Sequence, residues 1–313
     1  MNAPDLSRRG SNDRTNFAGT FYFSSLADYL RQKPFSFIRQ QGEGRLVFFE
    51  KVMGWFVQDD FRLKPNLSIA FGLRYDYQNH FPDHNNFSPR ASFAFSPGTG
   101  RKTVLRGGAG LFYDRTGSGP IADLLRLDGI RLRRFVITDP GYPDPIPPGE
   151  SLAAEPSSIV RLAPHVRIPY TTQFSMGVEQ QLQKTTTLTT TYIGTRVISA
   201  FSSHDVNAPL PPLYQGRPNP GIAVLRQIES SGRLESNSLE VALRGEVTHF
   251  FSGMIQYVFG RTYNNTGGIN WFPANNWISA ASGPEPTSMS ATALTCSALC
   301  ARGVCSTSES AFP

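Results

Sequence analysis

The clearest pattern in the chain is a strict alternation of apolar and polar positions from Leu67 to Gln78. Odd positions carry Leu, Ile, Phe, Leu, Tyr and Tyr, whereas even positions carry Ser, Ala, Gly, Arg, Asp and Gln. A period of two places all the apolar side chains on one face of a β-strand. About 11 residues of this kind are enough to cross a bilayer as a tilted strand. The segment is therefore predicted to be a strand with one apolar face and one small or polar face.

Similar alternation recurs along the chain and predicts seven further strands, with a weaker one near Phe35–Gln40. The seven centre on Met53–Val57, Ala91–Phe95, Leu105–Tyr113, Phe174–Leu182, Leu188–Tyr192, Leu239–Leu243 and Ile255–Phe259. A single short helix is predicted over Ser24–Leu30, where a serine can cap the first turn. No run approaches 18 consecutive apolar residues, which argues against a transmembrane helix. The chain is therefore predicted to be all-β.

The connections between these strands alternate in length. Short turns are predicted at Leu63–Asn66, Pro97–Gly100, Gln183–Lys184 and His249–Phe250, and long loops rich in Pro, Gly and Ser at Thr116–Pro169 and Ser202–Ser236. Loops this long are uncommon in compact soluble domains, whereas outer-membrane barrels combine tight turns on one side with long loops on the other. The pattern favours an antiparallel transmembrane β-barrel. The alternative is a secreted β-sandwich that binds carbohydrate or protein through the two long loops.

Composition supports a β-rich chain and excludes some partners. Charged residues make up 17% of the sequence, below the ~25% of typical soluble domains, while Phe and Tyr number 23 and 11. The net charge is +6, but no dense basic run marks a nucleic-acid groove, so nucleic acid is not an expected partner. Residues 1–20 contain neither an apolar core nor a small-residue cleavage site. They are predicted to be an irregular segment rather than a signal peptide.

Two short motifs could suggest a binding site, but neither supports a cofactor or metal assignment. The stretch Arg106–Gly110 lacks the third glycine and the following helix of a phosphate-binding loop. Its glycines are instead predicted to let bulky neighbours or a plug approach one barrel wall. His80, Asp83 and His84 carry metal-ligating groups, but they lie in a predicted loop without a helix or strand to fix them. No cofactor or metal is therefore predicted.

Catalytic residues are not predicted either. Asp59 and Asp60 are adjacent in a strand, so their carboxylates point to opposite faces and cannot share a substrate. A hydrolase with its site in the long loops ranks last, because no nucleophile–base pair is readable. Loop aromatics offer candidate ligand contacts, although isolated aromatics commonly pack locally; they are Tyr142, Tyr170, Tyr214 and Trp271. The ligand-binding residues stay unknown, and the chain is not predicted to be an enzyme.

Six strand segments follow one another in a distinctive order. They are FVQDDF running into KPNLSIAFGLRYDY, NNFSPRASFAFSP, KTVLRGGAGLFYDR, PYTTQFSMGVEQQL, TYIGTRVISAFSSHDVNAP and SNSLEVALRGEVTHFFSGMIQYVFGRTYNN. Taken in this order, they resemble TonB-dependent outer-membrane receptors and in particular their Oar-like branch. The resemblance runs from about Phe21 to Trp277. It implies a barrel of about 22 strands with a plugged lumen, which moves a bulky substrate across the outer membrane with energy from the TonB complex. The matching motifs mark scaffold strands and transfer no ligand-binding residue.

The resemblance also implies that the chain is one part of a larger barrel. Nothing in the sequence matches the plug, the TonB box or the carboxypeptidase-regulatory-like domain, so the chain is interpreted as an interior fragment that does not transport alone. Eight or nine strands cannot close a barrel of about 22, and two strand edges should stay unpaired. The strand over 67–77 should pair with that around 53–62 through Pro65 and Asn66. Its apolar residues should face lipid on the convex side, and its small and polar residues should face the concave side.

Residues 278–313 depart from the pattern, lose alternation and contain Cys296, Cys300 and Cys305. The spacing of these cysteines, without a nearby histidine, is a poor zinc pattern. A one-base shift of the reading frame after Trp277 permits codons for a receptor-like peptide over the same stretch. One explanation of the tail is a low-complexity linker. The favoured prediction is a disordered, frameshifted segment without regular strands, whose cysteines carry no metal or redox function.

Overall fold

The computed structural model describes residues 5–98, 100, 102–146, 148–149, 152, 155–248, 251–273, 276–277, 287–300 and 308–311. In these residues one sheet of 15 strands carries two short helices. The strands are β1 Asp5–Asn12, β2 Thr20–Tyr22, β3 Ser36–Gly42, β4 Arg45–Lys64, β5 Leu67–Gln78, β6 Phe87–Phe95, β7 Thr103–Tyr113, β8 Leu132–Thr138, β9 Ser157–Leu162, β10 Tyr170–Gln181, β11 Thr186–Asp205, β12 Ile222–Thr248, β13 Phe251–Asn264, β14 Thr287–Cys300 and β15 Ser308–Ala311; the helices are α1 Leu26–Leu30 and α2 Ser118–Arg126. The all-β prediction is confirmed.

The main wall is an antiparallel series in the order β1-β4-β5-β6-β7-β10-β11-β12-β13-β14-β15. Tight turns join β4 to β5 at Pro65 and Asn66 and join β10 to β11 after Gln181, as predicted. The predicted turn at His249 and Phe250 lies outside the described residues. Within the described residues β1 and β15 do not pair with each other, so the wall is open. This confirms the expectation of a partial barrel.

A second arm of the sheet branches from β12, the longest strand. It branches at the end of the wall where the long connections lie, and this end is called the loop end below. There Ile222–Ile228 pairs in parallel with β9, and β8, β3 and β2 follow in antiparallel order. The prediction of two long irregular loops is therefore wrong. The segment 116–169 contains α2, β8 and β9, and the segment 202–236 contains the end of β11 and the start of β12.

The elements missed within 116–169 have physical reasons for weak signals. Helix α2 carries Pro120 in its first turn, where the missing N–H costs nothing because it has no helical acceptor. Strands β8 and β9 are short, and their partners are distant in sequence. Their pairing therefore depends on tertiary contacts, which cannot be predicted from the alternation of apolar and polar residues within one segment. The predicted helix is present as α1, where the Ser25 hydroxyl accepts a hydrogen bond from the Asp28 N–H at 3.1 Å.

Buried apolar side chains collect at the loop end. Leu46 and Phe48 of β4 pack with Ile121 and Ala122 of α2 and with Ile168. A second cluster joins four buried residues, Leu127, Leu132, Val160 and Ile228. Leu46 and Phe48 alternate with the exposed Val47 and Phe49. Helix α2 therefore covers one side of the wall, called the inner side below.

Both ends of the described chain correct the sequence predictions. The segment predicted to be irregular contains a strand, because β1 pairs with Arg45–Val52 and Arg9 forms an ion pair with Glu50 at 2.7 Å. The prediction that no regular strand follows Trp277 is also wrong. Strand β14 pairs with β13 residue for residue from Asn264↔Thr287 to Phe251↔Cys300, and β15 pairs with β14. The exposed edge of β13 offers backbone hydrogen bonds that any extended segment can accept, whether or not its side chains alternate.

Candidate functional site

The pairing register places the alternating apolar residues of eight strands on one face, the outer side of the wall. Antiparallel partners point to the same side of a sheet, so each register row lies on one face. One row crosses from β4 to β13 and contains Phe61, Ile69, Phe93, Gly107, Met176, Tyr192, Leu239 and Phe259. Neighbouring rows add further apolar residues, including Leu73, Val178, Val241 and Tyr257. This surface is called the apolar belt below.

The apolar belt is uncovered. Met176 is 58% exposed and Phe259 is 56% exposed, and no second sheet lies against them in the described part of the chain. A β-sandwich would bury such residues between two sheets. The sandwich alternative is therefore wrong. An apolar surface of this extent on one face of a sheet marks contact with another apolar phase.

Glycines on the belt make room for aromatic rings, as the sequence predicted for Arg106–Gly110. A Cβ added at Gly107 would lie 2.5 Å from the Phe93 ring, and one added at Gly194 would lie 2.3 Å from the Phe174 ring. Each ring thus covers the backbone of the neighbouring strand. Because glycine has no side chain, the aromatic ring can lie flat on the wall at these positions.

Polar and aromatic groups border the belt toward the loop end. Tyr192 lies within the belt, but its hydroxyl reaches toward this border and donates to Asn237 Oδ1 at 2.9 Å. Arg196 forms an ion pair with Glu235 at 2.7 Å. Trp55 stacks on Tyr75 with 5.8 Å between ring centroids. Tyr and Trp at the edge of an apolar band are typical of a membrane–water interface, because one end of each side chain is apolar and the other is polar.

The inner face of the wall is lined by small and polar residues. One row contains Asp60, Ala70, Ser92, Gly108 and Ser175. Two hollows of about 630 and 410 Å³ lie along these rows. Charged groups line them, including Arg106 and Glu179 3.5 Å apart and Arg90 stacked 4.3 Å above the Phe112 ring.

The two adjacent aspartates fall on opposite faces. Asp59 pairs with the belt residue Phe71, whereas Asp60 pairs with Ala70 on the inner face. They cannot act on one substrate, as the sequence predicted.

The histidines and aspartate of the predicted loop do not meet as a ligand set. His80 Nε2 lies 2.9 Å from the Phe49 carbonyl, and the His84 ring stacks on Tyr77. Asp83 accepts a backbone hydrogen bond from Ile168 at 3.0 Å. Within the described residues, no three His, Cys, Asp or Glu side chains are grouped so that they could hold a metal ion. Each residue of this motif holds the loop end together.

The four aromatics that were predicted to lie in loops separate into two pairs, and one of them, Tyr170, begins strand β10 instead. Tyr142 packs edge-on against Phe21 at 5.1 Å, and Tyr170 lies 5.4 Å from Tyr113. These two are local packing residues. Tyr214 and Trp271 stand 55% and 71% exposed at the loop end. They remain candidate ligand contacts.

A charged cluster under α2 was missed by sequence reasoning. The Arg126 guanidinium reaches Asp13 Oδ2 at 3.4 Å and Asp123 Oδ1 at 3.9 Å, and it donates to the Ser11 hydroxyl. Burial raises the pKa of Asp13, but the Thr15 hydrogen bonds and the charges of Arg126 and Arg134 outweigh it and lower the net pKa. Burial raises the pKa of Asp123 despite the nearby arginines. The amphipathic run of α2 is the signal that could have located this cluster.

Comparison with known proteins agrees with this geometry. Residues 4–83 and 80–292 match the protein family described as "Outer membrane beta barrel domain". No curated protein matches the chain. Among the described residues, no helix is long and apolar enough to span a membrane.

A solved structure gives the same fold. The outer membrane transporter YddB from Escherichia coli matches with a TM-score of 0.58 and 16% identity, over 84% of this chain and 32% of that one. The siderophore receptor PirA from Pseudomonas aeruginosa matches with a TM-score of 0.46 and 10% identity, over 89% of this chain and 47% of that one. This chain thus spans 32% and 47% of the length of these two structures.

Proposed function

Because the chain belongs to the outer membrane beta barrel domain family, we propose that it forms one section of the wall of a TonB-dependent receptor. The outer membrane is its location. In this proposal the whole receptor moves a bulky substrate across that membrane, and the apolar belt contacts outer-membrane lipid. The inner face borders the lumen.

The observation that carries the proposal is the division of one open sheet into two unlike faces. The outer face is an uncovered apolar belt across eight strands, and the inner face carries glycine, serine and charged residues. A transmembrane barrel requires this division, because lipid lies on one side and a polar lumen on the other. A soluble binding module has no use for an uncovered belt of this kind.

The finer parts of the proposal rest on the sequence resemblance. The ordered strand motifs over residues 21–277 favour the Oar-like branch, energy coupling to TonB through regions beyond this wall section, and no catalytic role. The small residues of the inner hollows leave room for a plug to approach the wall. The frameshift in 278–313 stays a prediction, which DNA sequencing across those codons tests.

These 313 residues alone are expected not to transport the substrate. The flanking DNA is first read for a plug-coding region and further strands. Cells that produce the whole encoded receptor and cells that produce only these residues are then compared for uptake of the compounds that the receptor accumulates. We expect uptake by the whole receptor and none by the wall section, with equal amounts of both in the outer membrane. Uptake by the wall section alone contradicts the proposal.

A further inference from the structure

A second polar centre lies on the inner side of the loop end, between α2 and the part of the sheet formed by β8, β9 and β12. Arg134 of β8 pairs with Ser158 of β9, and Val160 of β9 pairs with Arg226 of β12. Because Ser158 and Val160 are two residues apart on one strand, Arg134, Ser158 and Arg226 share a face. Helix α2 packs against β9 on this side, and its Asp123 interacts electrostatically with both arginines. Arg134, Ser158 and Arg226 are called the arginine centre below.

The neighbouring Arg126 already explains how α2 is held to the wall. Its ion pairs with Asp13 and Asp123 and its hydrogen bond to Ser11 connect α2 with β1 and the residues that follow it. The side chain is only 7% exposed. Its Nε nonetheless has no acceptor in the described residues. Arg126 is therefore a structural contact with one donor to spare.

Of the three residues of the arginine centre, Arg134 has a hydrogen-bond acceptor, whereas the side chains of Arg226 and Ser158 have none in the described residues. Arg134 donates to the side-chain oxygen of Gln40 at 3.0 and 3.2 Å, with the amide turned so that its oxygen faces the guanidinium. The Arg226 guanidinium lies over the Phe272 ring at 5.1 Å but makes no hydrogen bond or ion pair within the described part of the chain. The Ser158 hydroxyl is buried and has no partner there either.

The charges at this site are unbalanced as well. Burial, followed by the charge of Arg134, lowers the pKa of Arg226, and Asp123 only partly opposes this. Three guanidinium groups, those of Arg126, Arg134 and Arg226, face the two carboxylates of Asp13 and Asp123. A buried hydroxyl without a partner, such as that of Ser158, and like charges side by side both destabilise a folded protein. An added acceptor with negative charge would correct both.

We propose that the arginine centre binds a small oxyanion, a phosphate or carboxylate group, which accepts hydrogen bonds from Arg226, Arg134 and the Ser158 hydroxyl. Arginine suits this role because its planar fork of donors matches both groups. A purely structural role does not explain the arrangement, since a neutral side chain at residue 226 would fill the space beside Phe272 without the charge. The proposal concerns binding alone and does not depend on transport.

The test measures binding to the full chain folded in detergent micelles. Isothermal titration calorimetry with inorganic phosphate and with acetate is compared for the wild type, Arg226→Gln and Ser158→Ala. Arg161→Gln is the matched control, because Arg161 lies on the opposite face of β9 and bonds to Gln227. Sodium chloride at equal ionic strength separates specific binding from screening. Folding of each variant is checked by circular dichroism and by its unfolding temperature.

We expect phosphate binding to the wild type and to Arg161→Gln with equal affinity. Loss of a charged donor predicts about tenfold or greater weakening in Arg226→Gln, and loss of the hydroxyl predicts a smaller weakening in Ser158→Ala. If Arg226→Gln does not fold, the phosphate affinity of Ser158→Ala tests the proposal instead. A folded wild type that binds neither anion, or variants that bind as tightly as the wild type, overturns the proposal.

Discussion

Lipid exposure of the apolar belt is tested most directly by placing a charge in its middle, at Met176. This residue of β10 is 58% exposed, and its register partners are Gly107 and Tyr192. The polar outer-face positions on the same strand are Thr172 and Gln180, each four residues away. Four residues correspond to about 13 Å along a strand, or about 10 Å of depth at the ~40° tilt of membrane strands. Met176 therefore lies near the centre of an apolar band about 25 Å tall.

The expected cost of Met176→Arg follows from this depth. An arginine on the lipid face of a barrel costs about 2–4 kcal/mol at the bilayer midplane. Since 1.4 kcal/mol is a tenfold change, the folding equilibrium constant should fall about 30- to 700-fold. The matched control is Ser175→Arg on the next residue. Ser175 lies on the inner face beside the hollow of about 630 Å³, where an arginine can reach water. Its expected cost is about 1 kcal/mol or less.

The assay is equilibrium urea unfolding of the full chain in phosphatidylcholine vesicles, followed by tryptophan fluorescence. Wild type, Met176→Arg and Ser175→Arg are compared at one lipid-to-protein ratio. We expect Met176→Arg to shift the midpoint to lower urea by far more than Ser175→Arg does. Equal stability of the two variants, or greater loss in Ser175→Arg, would show that the belt does not face lipid.

Three other predictions follow from single contacts. Gly194→Ala should lower the free energy of unfolding by about 1–3 kcal/mol, because the added Cβ meets the Phe174 ring at 2.3 Å; adding Phe174→Ala should relieve that cost in a double-mutant cycle, and simple additivity of the two would contradict the contact. Asp123→Asn should flatten the pH dependence of stability, since burial raises the pKa of Asp123. The protonated form is favoured by folding, so this contribution is present below pH 3.8 and is lost as pH rises through the raised pKa. Urea midpoints at a series of pH values measure it, and an unchanged slope in the variant would refute the assignment. In single-tryptophan variants, brominated lipid should quench Trp55, which stacks on Tyr75 at the belt's border, but not Trp271, which is 71% exposed at the loop end; equal quenching would contradict this orientation.

The wall itself could be predicted from sequence because its determinants are local. Alternation over Leu67–Gln78 specifies which side chains share a face, and Pro65 with Asn66 supplies the turn that sets the register with β4. A shift of one residue would move the whole apolar set to the inner face. Faces, turns and the apolar belt therefore follow from patterns within about 25 residues of chain.

The loop end could not be predicted in the same way because its contacts are distant in sequence. Strand β9 pairs in parallel with β12 across more than 60 residues, and Asp13 meets Arg126 across 113 residues. Short strands such as β8 have little alternation of their own and form because an edge is available. The arginine centre depends on three such elements meeting. Composition gives no sign of it, since isolated arginines in a loop ordinarily lie in water.

Strand β14 shows how backbone pairing and side-chain pattern can separate. Thr287–Cys300 contains neither Pro nor Gly and is rich in Thr, Ser and Ala, so nothing in it prevents an extended backbone from pairing with β13. The positions that pair with the belt residues Phe259, Tyr257 and Ile255 are Thr292, Leu294 and Cys296. All three of these positions in β13 carry a large apolar residue, whereas only Leu294 is one in β14. The wall thus continues through hydrogen bonds of the main chain at the point where the sequence stops encoding the apolar belt.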